Sequence, residues 1–100
     1  MNKIISENIE AIKIICARYN VKELYAFGSV STDRFTDKSD IDLLVSFKPM
    51  SYGDYSDNYF DIAEKFEKVF SRKVDLITEK SLSNPYFIES VNKSRVQIYG

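Results

Sequence analysis

The sequence predicts an α/β (α+β) domain in which helices cover one small mixed β-sheet of three to four strands. Apolar residues recur at spacings of three and four in long segments, as they do in amphipathic helices. Shorter segments rich in strand-forming residues lie between these helical patterns. Because 100 residues suffice for one compact domain and not for two, we expect residues 1–100 to form a single domain.

The first part of the chain predicts a helix, a strand and a turn. The apolar stripe indicates an amphipathic helix from about Lys3 to Tyr19, and Asn20 is a good residue for a helix exit. Val21–Phe27 alternates and is rich in strand formers, so it predicts the first strand. Gly28-Ser29 stops this strand, and we expect the polar stretch Val30–Lys38 to contain a short helix and a loop.

A second strand, a loop and another helix follow. Ile41–Phe47 is nearly all apolar, as is typical of a strand covered on both faces of a sheet. Lys48–Ser56 contains a proline and a glycine, which predicts a connecting loop. Ser56 or Asp57 can cap the next helix, whose buried stripe ends at Phe70.

The last part of the chain predicts a third strand, a final helix and a further short strand. Lys73–Thr78 has the composition of a strand. Asn84 and Pro85 begin a helix well, because asparagine caps helices and proline tolerates the first helical position. Val96–Tyr99 could form a fourth strand, which completes the alternation expected of helices packed on one sheet.

Composition excludes several kinds of active site and partner. The net charge of −1 argues against a protein that grips a nucleic-acid backbone, so we do not expect a nucleic-acid partner. Cys16 is the only cysteine and the chain has no histidine, which excludes Ser/His/Asp and Cys/His catalysis and imidazole ligands. Any metal must therefore be bound by oxygen atoms, which favours Mg²⁺ or Mn²⁺. Without a long apolar run or a secretory signal, we expect a cytoplasmic protein with no membrane partner.

Three aspartates form the main candidate site. Asp40 and Asp42 lie two residues apart at the mouth of the second strand, where their side chains point to the same face about 7 Å apart. Asp75 has the same setting, because Val74–Ile77 repeats the pattern of Ile41–Leu44. If these two strands pair, all three carboxylates can meet, and they would repel one another unless cations neutralise them. The pattern predicts a site for two Mg²⁺ ions, with Asp75 suited to act as the base.

Gly28-Ser29 is the candidate phosphate turn. Glycine permits close approach of the backbone to a ligand, and the serine hydroxyl and the free N–H groups of a following helix can bind a phosphate. Arg34 and Lys38 lie between this turn and the aspartates. Either could pair with a γ-phosphate, although a surface salt bridge is the commoner role of such residues.

The motif residues resemble a known family. The segments Phe27-Gly28-Ser29 and Ser39–Val45 (SDIDLLV), with ten residues between Ser29 and Asp40, closely resemble the polymerase-β-like nucleotidyltransferase superfamily. The short chain looks like the minimal nucleotidyltransferase (MntA-like antitoxin) branch. There is one departure: many relatives have an Arg-Gly pair soon after Gly-Ser, where this chain has Thr32-Asp33. Arg34 follows and could supply the cation.

The resemblance implies a fold, a reaction and a partner. The fold is that of a nucleotidyltransferase, and the reaction is transfer of a nucleoside monophosphate, usually AMP from ATP, to an acceptor hydroxyl. Asp40, Asp42 and Asp75 would bind Mg²⁺ and catalyse the transfer, while Gly28 and Ser29 would contact the phosphates. The partner would be a HEPN-domain toxin that is neutralised by binding and by adenylylation of a tyrosine.

Other interpretations remain open at this stage. The chain could be a non-catalytic antitoxin that neutralises its partner by contact alone. Nucleotidylation of a small molecule is less expected, because 100 residues leave little room for an acceptor pocket unless a dimer builds one. Tyr52 and Tyr55 could stack on a nucleotide base but more commonly would pack on the domain or a partner, and Tyr86 and Phe87 could form a partner surface. The nucleotide preference and a homo- or hetero-oligomeric state are likewise open.

Overall fold

Four helices and four strands make up the structure, which is a computed structural model describing residues 2–32 and 34–100. Asp33, which is part of the Thr32-Asp33 departure from the family pattern, lies outside the described residues. In chain order the elements are α1 (Lys3–Glu7), α2 (Ile9–Arg18), β1 (Val21–Phe27), β2 (Ile41–Phe47), α3 (Tyr52–Phe70), β3 (Val74–Thr78), α4 (Pro85–Ser94) and β4 (Val96–Tyr99). Short 3₁₀ turns at Gly28–Ser31 and Glu79–Ser81 follow β1 and β3.

The strands form one mixed sheet in the order β3-β2-β1-β4. Strand β1, one of the two central strands, is antiparallel to both β2 and β4. Strands β2 and β3 run parallel, so they need a crossover, and α3 supplies it. The predicted fold class, a small mixed sheet covered by helices, is therefore confirmed.

Alternation along the strands divides the buried side chains between the two faces of the sheet. On one face, Leu24 and Leu43 pack in the main core with Ile12 of α2 and Phe66 of α3. The opposite face carries a smaller core. That smaller core consists of Phe27, Leu44 and Val91.

Helix α4 covers this second face, and the side chain of Asp42 points to it. Asp42 and Leu44 lie two residues apart on β2, so their side chains point to the same face of the sheet. Leu44 packs against Val91 of α4 in the smaller core. A polar residue at that position emerges beside α4 rather than in the main core. The packing of α4 therefore determines what surrounds the aspartate.

Two helices differ from their predicted extents. The first predicted helix is divided at Asn8, whose side-chain amide donates to the carbonyl of Ile4 at 2.8 Å. Such a local side-chain bond competes with the helical backbone pattern. The predicted loop Lys48–Ser56 is also shorter than expected, because α3 begins at Tyr52 with Ser51 as its cap. The Ser51 hydroxyl accepts from the backbone N–H of Asp54 at 3.3 Å, so the predicted caps Ser56 and Asp57 lie inside the helix.

The remaining element predictions agree with the structure. Strands β1, β2 and β4 have the predicted bounds, and β3 begins one residue later than expected, at Val74. Asn84 caps α4 by accepting from two backbone N–H groups, and Pro85 occupies the first turn. In the described part of the chain, no helix combines the length and the apolar character needed to cross a membrane.

Candidate active site

Asp42 and Asp75 face each other across neighbouring strands. The parallel register of β2 and β3 pairs Asp42 directly with Asp75, just as it pairs Leu43 with Leu76. Paired positions of neighbouring strands point to the same face and lie about 4.8 Å apart along the hydrogen-bonding direction. Two carboxylates 33 positions apart in the sequence are thus brought together by the sheet, as the repeated strand pattern predicts.

The electrostatics of Asp42 reflect this juxtaposition. Burial, the charge of Asp75, a hydrogen bond with the Asp75 side chain and the charge of Asp40 together raise the pKa of Asp42 to about 6, and burial contributes most. Asp75 is half-exposed, and its Oδ1 lies 3.9 Å from Nζ of Lys73. A carboxylate in such surroundings favours a bound proton or a bound cation over a free negative charge.

Asp40 stands apart from the pair. It precedes the first residue of β2 and is exposed to solvent, so its influence on Asp42 is through charge. Within residues 2–32 and 34–100, no three acidic, cysteine or histidine side chains converge as a metal-binding group. The structure therefore joins Asp42 to Asp75 and leaves Asp40 at the rim.

Gly28 brings the backbone against the Asp42 carboxylate. Its φ of +70° is unfavourable for residues with a side chain, and a Cβ atom at this position would lie 2.5 Å from Oδ2 of Asp42. The N–H of Gly28 donates to Oγ of Ser94 at 3.0 Å, which ties the turn to the end of α4. The positive φ therefore favours glycine here, and any Cβ would also have to displace the Asp42 carboxylate.

Ser29 lies in the 3₁₀ turn immediately after Gly28. Its carbonyl accepts from the backbone N–H and from the hydroxyl of Thr32, each at 3.0 Å. The residue is partly buried, and the turn places it one position from the residue that touches Asp42. The predicted phosphate turn and the carboxylate pair are thus adjacent.

Arg34 lies in the loop that precedes β2, and Arg72 contacts the same loop from the end of α3. Arg34 is exposed, and its backbone N–H donates to the Thr32 hydroxyl at 3.2 Å. The guanidinium of Arg72 donates to the carbonyls of Thr36 and Ser39, at 3.2 and 3.0 Å, and thereby fixes the loop that leads into β2. Nothing in the sequence indicates this contact, because Arg72 lies beyond the whole of α3.

A small depression opens beside the carboxylate pair. It has a volume of about 250 Å³. Its lining consists of Phe27, Asp42, Asp75, Leu76, Ile77 and Phe87. Phe87 was expected only as part of a partner surface, and its role here was not predicted because α4 packing is a long-range contact.

The donor set is compatible with a divalent cation. Carboxylate oxygens are the ligands that Mg²⁺ prefers, and the pKa of Asp42 is raised by burial and by its acidic neighbours, so a cation beside these carboxylates would relieve their repulsion. The residues that could hold such a cation are Asp42 and Asp75, with Asp40 near enough to add its charge.

Comparison with known proteins gives a consistent result. The model of the family described as nucleotidyltransferase domain matches residues 9–98. A protein of Methanocaldococcus jannaschii that is named as a candidate protein adenylyltransferase is 38% identical over 86 residues, which is 86% of this chain and 85% of that protein.

Solved structures share the fold. The structure of a candidate minimal nucleotidyltransferase matches with a TM-score of 0.68 and 26% identity, over 96% of this chain and 95% of that one. A chain from the complex of a tri-AMPylated Shewanella oneidensis HEPN toxin with an MNT antitoxin matches with a TM-score of 0.66 and 21% identity, over 95% of this chain and 71% of that chain. At that lower identity, the likeness concerns the fold alone.

Proposed function

This chain belongs to the nucleotidyltransferase domain family, and we propose that it transfers AMP from ATP to a tyrosine hydroxyl of a partner HEPN-domain toxin in a Mg²⁺-dependent reaction. The observation that carries the proposal is the in-register pairing of Asp42 with Asp75 beside Gly28. The kinship with a candidate protein adenylyltransferase supports AMP as the transferred group and a protein as the acceptor.

The three aspartates have distinct roles in this proposal. Asp42 and Asp75, which lie directly across the strand pair from each other, would hold Mg²⁺, and Asp40 would complete the metal site from its rim. Bound Mg²⁺ supplies positive charge that stabilises the transferring phosphoryl group and the leaving group. Asp75 is half-exposed and therefore accessible to an acceptor, so it is the carboxylate that receives the acceptor's proton.

The turn at Gly28 positions the phosphates. Gly28 lets the chain pass close to Asp42, so a triphosphate held at the turn also lies at the carboxylate pair. The hydroxyl of Ser29 donates to a phosphate oxygen, and the exposed Arg34 adds a positive charge from the following loop.

The reaction proceeds as one displacement at the α-phosphorus. The acceptor oxygen forms a bond to that phosphorus while the bond to the bridging oxygen of the β-phosphate breaks. Pyrophosphate leaves with the electron pair of the broken bond, and the acceptor's proton passes to Asp75. Chemistry of this kind depends on positioning and charge, which the rigid strand pair supplies.

The proposed partner is supported by a solved complex that contains a protein with the same fold. One fold relative comes from a complex between an AMPylated HEPN toxin and an MNT antitoxin, which supports a protein partner of the HEPN type for this chain. In that role the chain acts as the antitoxin and modifies the partner that it binds.

Labelling with ATP that carries ³²P at the α-phosphate tests the proposal. Wild-type protein, a HEPN-type partner and Mg²⁺ should yield a labelled partner, and Asp42→Asn should abolish the label. Asp61→Asn is the matched control, because Asp61 is an exposed aspartate in the middle of α3. Equal labelling by wild type and Asp42→Asn would refute the assigned site.

A contact-only antitoxin gives a different result. If the double variant Asp40→Asn, Asp42→Asn neutralises the toxin as well as wild type does, binding suffices and transfer is dispensable. If neutralisation requires ATP and fails in the double variant, modification is the mechanism.

A further inference from the structure

Phe87 stands beside the carboxylate pair as a large, partly exposed aromatic residue. It lies in the first turn of α4, where its backbone N–H donates to the Asn84 side chain at 3.3 Å. Its ring and that of Phe27 form an edge-to-face pair, with centroids 6.1 Å apart and planes at 81°. Phe87 nevertheless remains 43% exposed, because its other side borders the depression.

The depression has one acidic side and one apolar side. Asp42 and Asp75 provide the acidic side, and the remaining four lining residues are aliphatic or aromatic. Its volume of about 250 Å³ lies below the roughly 300–1,000 Å³ of pockets that enclose whole small-molecule ligands. The space therefore suits a single ring system rather than a complete nucleotide.

The lining chemistry favours a phenol over a nucleobase. A nucleobase presents both hydrogen-bond donors and acceptors along its edge, and reading them requires complementary donors and acceptors in the pocket. The side chains around the depression offer only the two carboxylates as polar groups. A phenol has an apolar ring and one hydroxyl group. Its ring can pack against the apolar side of the depression while its hydroxyl group lies at the two carboxylates.

We propose that this depression is the acceptor subsite and that Phe87 is a specificity-determining residue, which selects a tyrosine hydroxyl over the hydroxyl of serine or threonine. The inference rests on the proposed function. The tyrosine ring lies against Phe87, Leu76 and Ile77, and its oxygen reaches the carboxylates. There the oxygen bonds to the α-phosphorus, pyrophosphate leaves with the electron pair of the broken bond, and the phenolic proton passes to Asp75.

Binding of a model acceptor tests the subsite without metal or nucleotide. The probe is N-acetyl-tyrosinamide, titrated into protein with labelled methyl groups while the NMR signals of Leu76 and Ile77 are followed. We expect saturable shifts in wild type and in Tyr86→Ala, whose altered residue is 84% exposed and lies outside the lining. In Phe87→Ala the affinity should fall about tenfold, in line with the loss of one aromatic contact. N-acetyl-serinamide should cause no saturable shift.

Steady-state kinetics with the same probe and labelled ATP provide a second readout. Phe87→Ala should raise the KM for N-acetyl-tyrosinamide about tenfold and leave the KM for ATP unchanged. Phe87→Leu keeps an apolar side chain and guards against a folding defect, and it should show the same change in smaller degree. Thermal unfolding of both variants should stay close to that of wild type.

Three outcomes would overturn the subsite. A raised KM for ATP with an unchanged acceptor KM would place the nucleobase in the depression. Equal transfer to tyrosine and serine acceptors would contradict the proposed specificity. Unchanged binding of N-acetyl-tyrosinamide in Phe87→Ala would contradict the proposed role of the Phe87 ring. Failure of the proposed function looks different: the wild-type protein would bind N-acetyl-tyrosinamide at Leu76 and Ile77 and transfer AMP to no acceptor.

Discussion

Replacing Asp42 with asparagine should make the metal-free protein more stable near neutral pH, although it removes a residue assigned to catalysis. The reason is that burial and the neighbouring carboxylates raise the pKa of Asp42 from 3.8 to about 6. Asparagine has nearly the same shape and cannot ionise. The variant therefore escapes the unfavourable charge and keeps the packing beside Gly28.

The sign of the pH dependence follows from the direction of the shift. Because the pKa of Asp42 is higher in the folded protein than in the unfolded chain, the folded state holds more protons between about pH 4 and pH 6. The free energy of unfolding of the wild type consequently falls as the pH rises through this window. The stability advantage of Asp42→Asn should be absent at pH 4 and complete at pH 7.5.

The magnitude is moderate because the site is only partly buried. Each tenfold change in proton affinity corresponds to about 1.4 kcal/mol, so the raised pKa sets an upper limit of about 3 kcal/mol. Solvent screening at a partly exposed carboxylate reduces this to about 1–2 kcal/mol. In a domain of this size, that corresponds to a rise in Tm of roughly 5–10 °C.

Thermal unfolding followed by circular dichroism in the presence of EDTA measures the effect. Wild type, Asp42→Asn and the control Asp61→Asn are compared at pH 4 and pH 7.5, and the control should follow wild type at both. A variant that melts at or below the wild-type temperature at pH 7.5 would refute the reasoning. It would mean that the carboxylate is not held in an unfavourable environment.

Three further predictions concern the cation, the turn and the loop. Mg²⁺ at a hundredfold excess over its Kd should stabilise wild type by about 2.7 kcal/mol and leave the Tm of Asp42→Asn almost unchanged, as differential scanning fluorimetry can measure. Gly28→Ala should cost about 1–3 kcal/mol in urea unfolding and abolish transfer, because the residue adopts a positive φ and a Cβ would displace the Asp42 carboxylate; unaltered stability would contradict that geometry. Arg72→Met should lower activity more than stability, since the guanidinium fixes the loop before Asp40. Amide hydrogen exchange of residues 36–39 should become faster in this variant, and unchanged exchange would exclude this role of Arg72.

Much of the sheet was predictable because its strands are marked by strong local patterns. Ile41–Phe47 is apolar enough to identify a central strand, and the repeated pattern around Asp75 indicated its partner. The predicted start of α3 was wrong because Pro49 and Gly53 suggested a loop. In the structure Ser51 caps the helix, and it precedes both Gly53 and the predicted caps. Local composition does not reveal which of several serines accepts the capping hydrogen bond.

The contacts around the site were less predictable because they join distant parts of the chain. Asp42 and Asp75 were expected to meet, and the parallel register brings them into direct opposition. Asp40 was expected to stand with them, but it lies before the first residue of β2 and remains exposed. The bond from Arg72 to Ser39 and the packing of Phe87 on Phe27 depend on how α3 and α4 settle on the sheet. No spacing of residues in the sequence indicates either contact.

The order of the strands also bears on how the protein is made. Strands β1 and β2 form an antiparallel pair at the centre of the sheet, and β3 and β4 are added at its two edges. During synthesis, the ribosome therefore releases a hairpin that already carries Asp42, long before Asp75 emerges. The nascent chain holds only one of the two paired acids until the crossover helix is complete and Val74–Thr78 has docked, so the paired acids come together only after β3 has emerged.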